Sequence, residues 1–176
     1  GSRTAAARQR TLEATVDCSY DLLSDAERRL LRRLSVFAGG WTIDAAEDVS
    51  SGEGIGRTEV LDLLSRLVDK SLVNVDNDID GSRRYRFLET VRQYGRERLL
   101  QSGEAERLRD CHLAFFHELV RGAEPELTRA GQVSWLNRLH REHDNLRSAL
   151  ESCLAAPRGD QSLELAAALT FFWMKR

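Results

Sequence analysis

The sequence predicts a mainly α-helical chain: a winged helix, with a three-helix core and a β-hairpin wing, followed by an antiparallel helical segment of tetratricopeptide-like character. Three observations carry that reading. Apolar residues recur at helical spacing along most of the 176 residues, and only two prolines interrupt them. Two short runs with strand character, Leu72–Asp76 and Arg83–Leu88, flank a turn-forming stretch at Asn77–Gly81. The order helix, helix, helix, hairpin is that of a winged helix.

Element by element, residues Thr4 to Leu23 read as a helix whose inner face begins at Leu12 and Val16. Ser24-Asp25-Ala26-Glu27 is a capping-box pattern that opens the next helix, with Leu30, Leu31, Leu34 and Phe37 on one side and Gly39-Gly40 at its end. Thr42 caps a short helix from Ile43 to Val49, and Ser51–Gly56 is a loop. Arg57 to Lys70 is strongly amphipathic, with Val60, Leu61, Leu64, Leu67 and Val68 expected on the buried face. After the hairpin, Glu89–Ser102 places Val91, Gly95 and Leu99 on a face continuous with Leu88, and Glu104–Arg121 places Leu108, His112, Phe115 and Leu119 on another. Gln132–Ala155 repeats an apolar three-four spacing suited to antiparallel packing, with room for a break at His140–Asp144. The implied division is 1–23, a helix or linker from an upstream domain; 24–102, the winged helix; and 103–176, a helical extension that starts a repeat-like domain.

Composition narrows the function classes. Apolar residues make up 41% and charged residues 31%, enough to build a core and too apolar for disorder. The formal charge of −2 is spread evenly, so neither half carries the basic excess of a nucleic-acid footprint. Cys18, Cys111 and Cys153 are far apart, which fits buried thiols in a reducing cytosol better than a disulfide framework or a zinc site. With no signal peptide or membrane-spanning run, a cytoplasmic location without membrane contact is expected. Gly1-Ser2 reads as a cloning scar, and the apolar run Phe171-Phe172-Trp173-Met174 invites a following element. The chain is therefore expected to continue on both sides in its natural setting.

No catalytic constellation is present, so an enzyme is not expected. The string Gly52, Gly54, Gly56 lies between helices rather than after a strand and reads as a plain loop. His140 and His143 are three apart on a helix, but no third ligand accompanies them, so no metal site is assigned and His143 is expected to turn inward. His112 reads as a packed histidine.

Several longer motifs resemble one family. They are Cys18-Ser19-Tyr20-Asp21-Leu22-Leu23, Leu34-Ser35-Val36-Phe37-Ala38-Gly39-Gly40-Trp41 and Leu67-Val68-Asp69-Lys70-Ser71-Leu72-Val73. Arg84 to Tyr94 and Glu142 to Leu150 continue the series. Together they resemble the segment after the nucleotide-binding domain in large actinobacterial LuxR-type and AfsR-type ATPase regulators. These belong to the signal-transducing ATPases with numerous domains, a class that includes MalT-like activators and NB-ARC proteins. The resemblance implies a nucleotide-binding domain upstream that holds ATP or ADP, a winged helix that couples it to the rest, and tetratricopeptide-like helices downstream. DNA is then a partner of the full-length protein, and this segment holds no cofactor of its own. In NB-ARC relatives the second wing strand leads into a Met-His-Asp motif whose histidine contacts nucleotide phosphates. The matching stretch is Phe87-Leu88-Glu89, and leucine cannot donate a hydrogen bond. Glu89 is expected to cap the following helix, and Arg84 and Arg86 are the remaining candidates for phosphate contact.

Two alternatives stand beside the coupling role: a direct winged-helix DNA binder and a pure oligomerisation module. For DNA, the candidates are Arg57, Arg66 and Lys70 on the third helix and Arg83 and Arg84 on the wing. Glu59, Asp62 and Asp69 balance the helix, and Asp76, Asp78 and Asp80 crowd the wing tip, which disfavours a phosphate partner. Arg28, Arg29, Arg32 and Arg33 are expected to line the outer side of their helix as a solvated face, with docking on an acidic surface of the upstream domain as the functional alternative.

Overall fold

The computed structural model describes residues 14–77, 81–129 and 131–155. Helix α1 covers described residues 14–21, so its predicted beginning, and the whole run after Ala155, lie outside the described residues. The elements that follow are α2 (Asp25–Leu34), α3 (Ile43–Ser50), α4 (Glu59–Asp69), β1 (Asn74–Asn77), β2 (Arg83–Arg86), α5 (Glu89–Gln101), α6 (Ala105–Ala123), a 3-10 turn at Glu126–Thr128, α7 (Gln132–Arg141) and α8 (His143–Ala155). The chain divides into two compact units. Among the described residues, one comprises 14–36 and those from 40 to 108; the other comprises 37–39 and those from 109 to 155. Helix α6 therefore runs from the first unit into the second.

In the first unit α2 is the central helix, packing on α3, α4 and α5. Its start follows from the capping box: Ser24 Oγ accepts from the Glu27 amide at 3.3 Å, and Glu27 Oε2 accepts from the Ser24 amide at 2.7 Å. Leu30, Leu31 and Leu34 on α2, Val49 on α3, and Val60, Leu64 and Leu67 on α4 are fully buried. On α4 the buried partner of Val60 and Leu64 is Leu63, while Leu61 is 44% exposed, a correction to the expected face by part of a turn. Val91, Gly95 and Leu99 do form the buried face of α5. Gly95 is the point of closest approach, since a Cβ there would lie 2.9 Å from Ser35 Cβ and 3.3 Å from Leu31 Cδ2. Leu88 does not continue that face; it is the N-cap residue of α5 and 57% exposed.

Strands β1 and β2 pair antiparallel, with Val75 opposite Tyr85 and Asp76 opposite Arg84. The tip of the hairpin, 78–80, lies outside the described residues. Trp41 adds a bridge that sequence patterning missed. Its amide donates to the Tyr85 carbonyl at 2.8 Å, and the Tyr85 amide donates back to the Trp41 carbonyl at 2.9 Å. Gly40 permits this approach, because a Cβ there would lie 2.8 Å from the Tyr85 carbonyl oxygen. The Trp41 ring then packs on Phe87 with centroids 4.8 Å apart.

Helix α2 ends earlier than the glycine pair suggested. Ser35 is its C-cap, and Ser35 Oγ donates back to the Arg32 carbonyl at 2.6 Å. Phe37 thus leaves the α2 face and belongs to the second unit. There it meets His112 and Phe116 at centroid distances of 5.4 and 6.3 Å. Phe116, not Phe115, is the fully buried aromatic of α6. The break expected at His140–Asp144 is present as the junction of α7 and α8.

Candidate functional site

Four arginines on α2 form the densest basic cluster, and the structure turns them inward onto the chain itself. Arg33 has no solvent exposure. Its Nε and Nη2 donate to Glu104 Oε1 at 3.0 and 2.5 Å, and its Nη1 donates to the carbonyls of Ser50 and Gly52 at 2.9 and 2.6 Å. Nη2 also reaches the Glu53 carbonyl at 3.2 Å. Arg32 bridges to the other oxygen of Glu104 at 2.8 Å. Arg29 donates to the carbonyls of Glu53 and Gly54 at 3.3 and 3.2 Å. Arg28 donates to the carbonyls of Tyr20 and Asp21, at 3.1 and 2.6 Å, where α1 ends. The expected outward line is corrected accordingly. An arginine fork can satisfy several carbonyls and a carboxylate at once, and here that capacity pins the loop after α3. Gly52 and Gly54 supply left-handed backbone, φ +93° and +86°, which turns their carbonyls toward α2.

Glu104 is the partner that sequence spacing could not supply, because it lies 71 residues from Arg33. Burial pushes its carboxyl up, but the hydrogen bonds and charges of Arg33 and Arg32 outweigh that and hold it at about 2. Burial in turn lowers the pKa of Arg33, against the opposing pull of Glu104.

The DNA candidates scatter. Arg57 pairs with Glu47 at 3.2 Å and with Asp48. Lys70 sits 2.8 Å from Glu27, a buried carboxylate that also closes the capping box. Burial raises Glu27, yet Lys70 and Ser24 lower it below the usual range. Arg84 donates to the Gly40 carbonyl at 2.8 Å and so braces the Trp41 bridge. Arg86 pairs with Asp76 across the hairpin at 2.8 Å. Arg66 and Arg83 are exposed. The solvent face of α4 therefore shows Leu61, Asp62, Ser65, Arg66 and Asp69.

Leu88 and Glu89, at the position matched to the nucleotide motif, make no cap by side chain. Glu89 instead binds Arg92 through both oxygens, at 2.9 and 2.8 Å, and Gln93 at 3.1 Å. The hydrogen bond from Arg92 is the main cause of its lowered pKa. Among the described residues no group of three or more His, Cys, Asp or Glu could hold a metal ion. His140 is exposed and His143 half-exposed, which corrects the inward turn expected of His143. The inward side chains there are Glu142 and Asn145: Asn145 Nδ2 donates to Glu142 Oε2 at 2.8 Å, and its Oδ1 accepts from the Ala38 amide at 2.9 Å. Among the described residues no helix is long and apolar enough to cross a membrane.

Comparison with known proteins agrees with the fold. Residues 23–100 match the family described as winged helix-turn-helix domain. The chain is 40% identical over 179 residues to "Putative HTH-type transcriptional regulator Rv0890c" of Mycobacterium tuberculosis and equally to Mb0914c of Mycobacterium bovis, each match covering 100% of this chain. It is also 46% identical over 99 residues, 56% of its length, to the uncharacterized protein Rv0894 of Mycobacterium tuberculosis. It spans only 20% of the length of the first two and 25% of the third. No solved structure gives a significant match. Residues 23–100 thus fold as a winged helix and are similar to the winged helix-turn-helix family, within a chain similar along its whole length to proteins named as HTH-type transcriptional regulators.

Proposed function

We propose that this chain is a non-catalytic regulatory module of a larger transcriptional regulator, and that its winged helix couples neighbouring domains instead of reading bases. The observation that carries the proposal is the charge left on α4. A helix that enters the major groove needs cations free to meet phosphate and base edges. Here Arg57 and Lys70 are held by Glu47, Asp48 and Glu27, so Arg66 faces solvent beside Asp62 and Asp69. The 20% share of the relatives' length supports a module within a longer protein. The resemblance to signal-transducing ATPases supports an upstream nucleotide-binding domain and a downstream helical sensor as its neighbours. Coupling then means that two arrangements of the full protein differ in how these domains contact the winged helix.

The second reading, direct DNA binding, is favoured by the family match and by the exposure of Arg66 and Arg83. One titration separates the two. Fluorescence anisotropy with a mixed-sequence duplex is expected to show no saturable binding at either low or moderate salt. A DNA-binding domain would bind at low salt and lose roughly 10³-fold or more in affinity between about 50 and 200 mM salt. Binding of that kind, abolished by Arg66→Glu or Arg83→Glu, would replace the coupling role with the DNA-reading one.

A further inference from the structure

Helix α1 is held to the winged helix in a way unlike every other helix of the first unit. Of its described residues only Val16 is buried, and Tyr20 is half-buried. The remaining attachment is polar or aromatic. Tyr94 Oη on α5 donates to Asp17 Oδ1, and Arg98 Nη2 reaches Asp17 Oδ1 at 3.0 Å and Tyr94 Oη at 2.7 Å. The Tyr20 and Tyr94 rings meet edge-on with centroids 5.2 Å apart. Arg98 lies 4.8 Å from the Tyr94 centroid and 5.5 Å from that of Tyr20, while Arg28 lies over Tyr20 from the α2 side at 5.5 Å. Arg28 also takes the last carbonyls of α1, Tyr20 and Asp21.

By contrast, α2, α3, α4 and α5 each bury several side chains in the core. Contacts of the α1 kind are individually weak at a partly exposed site, and salt screens them. Elements with few buried apolar contacts open locally, at free energies well below that of global unfolding. We infer that α1 is a detachable strap: a clasp of Asp17, Tyr20, Arg28, Tyr94 and Arg98 docks it on the winged helix, and it opens as a unit while the core of α2–α5 stays folded. The strap is independent of whether α4 touches DNA, since none of its residues lies on α4 or the wing.

Amide hydrogen exchange followed by mass spectrometry on the whole chain tests this. In the wild type, residues 14–21 are expected to be protected, but to exchange faster than α2 and α5. Arg98→Gln removes the shared cation and is expected to speed exchange at 14–21 by about tenfold or more, with α2 and α4 unchanged. Tyr94→Phe, which keeps the ring and loses only the hydroxyl, should give a smaller effect at the same residues. High salt should reproduce the Arg98→Gln pattern in the wild type and add little in the variant. The strap is refuted if 14–21 exchange together with α2 and α5, if they show no protection at all, or if Arg98→Gln loosens the core equally.

Discussion

Arg33 shows how one side chain can decide a domain's interior. A guanidinium with no exposure is costly unless each of its donors is matched, and five hydrogen bonds to Glu104, Ser50, Gly52 and Glu53 match it. Removing the countercharge leaves the cation stranded. Glu104→Gln is therefore expected to cost about 3 kcal/mol at neutral pH, measured by urea unfolding, because breaking a buried pair on one side forfeits more than the pair contributes. Glu104 titrates below its unfolded value, so its contribution is complete above pH 4.5 and disappears as pH falls toward about 2. The arginine run was visible in the sequence, but its role was not. Helical spacing places Arg29 and Arg33 on one stripe without saying whether that stripe meets water or a loop, and Glu104 is too distant in sequence to suggest the pairing.

At the scale of elements, caps and periodicity were the most legible features. Ser24 and Glu27 form the box their spacing announced, Thr42 caps α3 through the Ala45 amide at 3.3 Å, and the hairpin strands flank the turn formers. What failed were choices between adjacent apolar residues. Leu61 against Leu63, and Phe115 against Phe116, differ by one or two positions along a helix, and only the tertiary neighbour decides which is buried. The end of α2 failed for a different reason: Ser35 stops it through its own hydroxyl before the glycines arrive. Helix–helix approach gives a sharp test. Gly95→Ala places a methyl 2.9 Å from Ser35 Cβ, so α2 and α5 must separate. A loss of about 1–3 kcal/mol in chemical unfolding is expected, against the gain that alanine usually brings within a helix.

For the whole molecule, the fold class was legible, and the membership of Phe37–Gly39 in the second unit was not. Periodicity finds elements, but which core each one joins depends on contacts distant in sequence. The second unit also carries a charge-sensitive group. His112 is buried against Phe37 and Phe116, and burial pushes its pKa down to about 4, opposed by its hydrogen bond with Asn145. The unfolded chain takes up a proton near pH 6.5 that the folded unit accepts only near 4. Stability is therefore full above about pH 6.5 and falls as pH drops toward 4, by up to about 3 kcal/mol. Urea midpoints measured across this window should show that slope in the wild type, and His112→Leu should flatten it. An unchanged slope in the variant would assign the acid sensitivity to another group.

The three residues Phe37–Gly39 carry a consequence for how this protein can be dissected. They sit in the second unit although both their flanks belong to the first. The match to the winged helix-turn-helix family, residues 23–100, runs straight through them and stops before His112, Phe116 and Asn145. A piece trimmed to the matched residues would keep Phe37 and the Ala38 amide but discard the rings and the Asn145 oxygen that receive them. The boundary drawn by likeness to other proteins is thus not a seam in this one: cutting there turns an interior phenylalanine into a sticky surface spot.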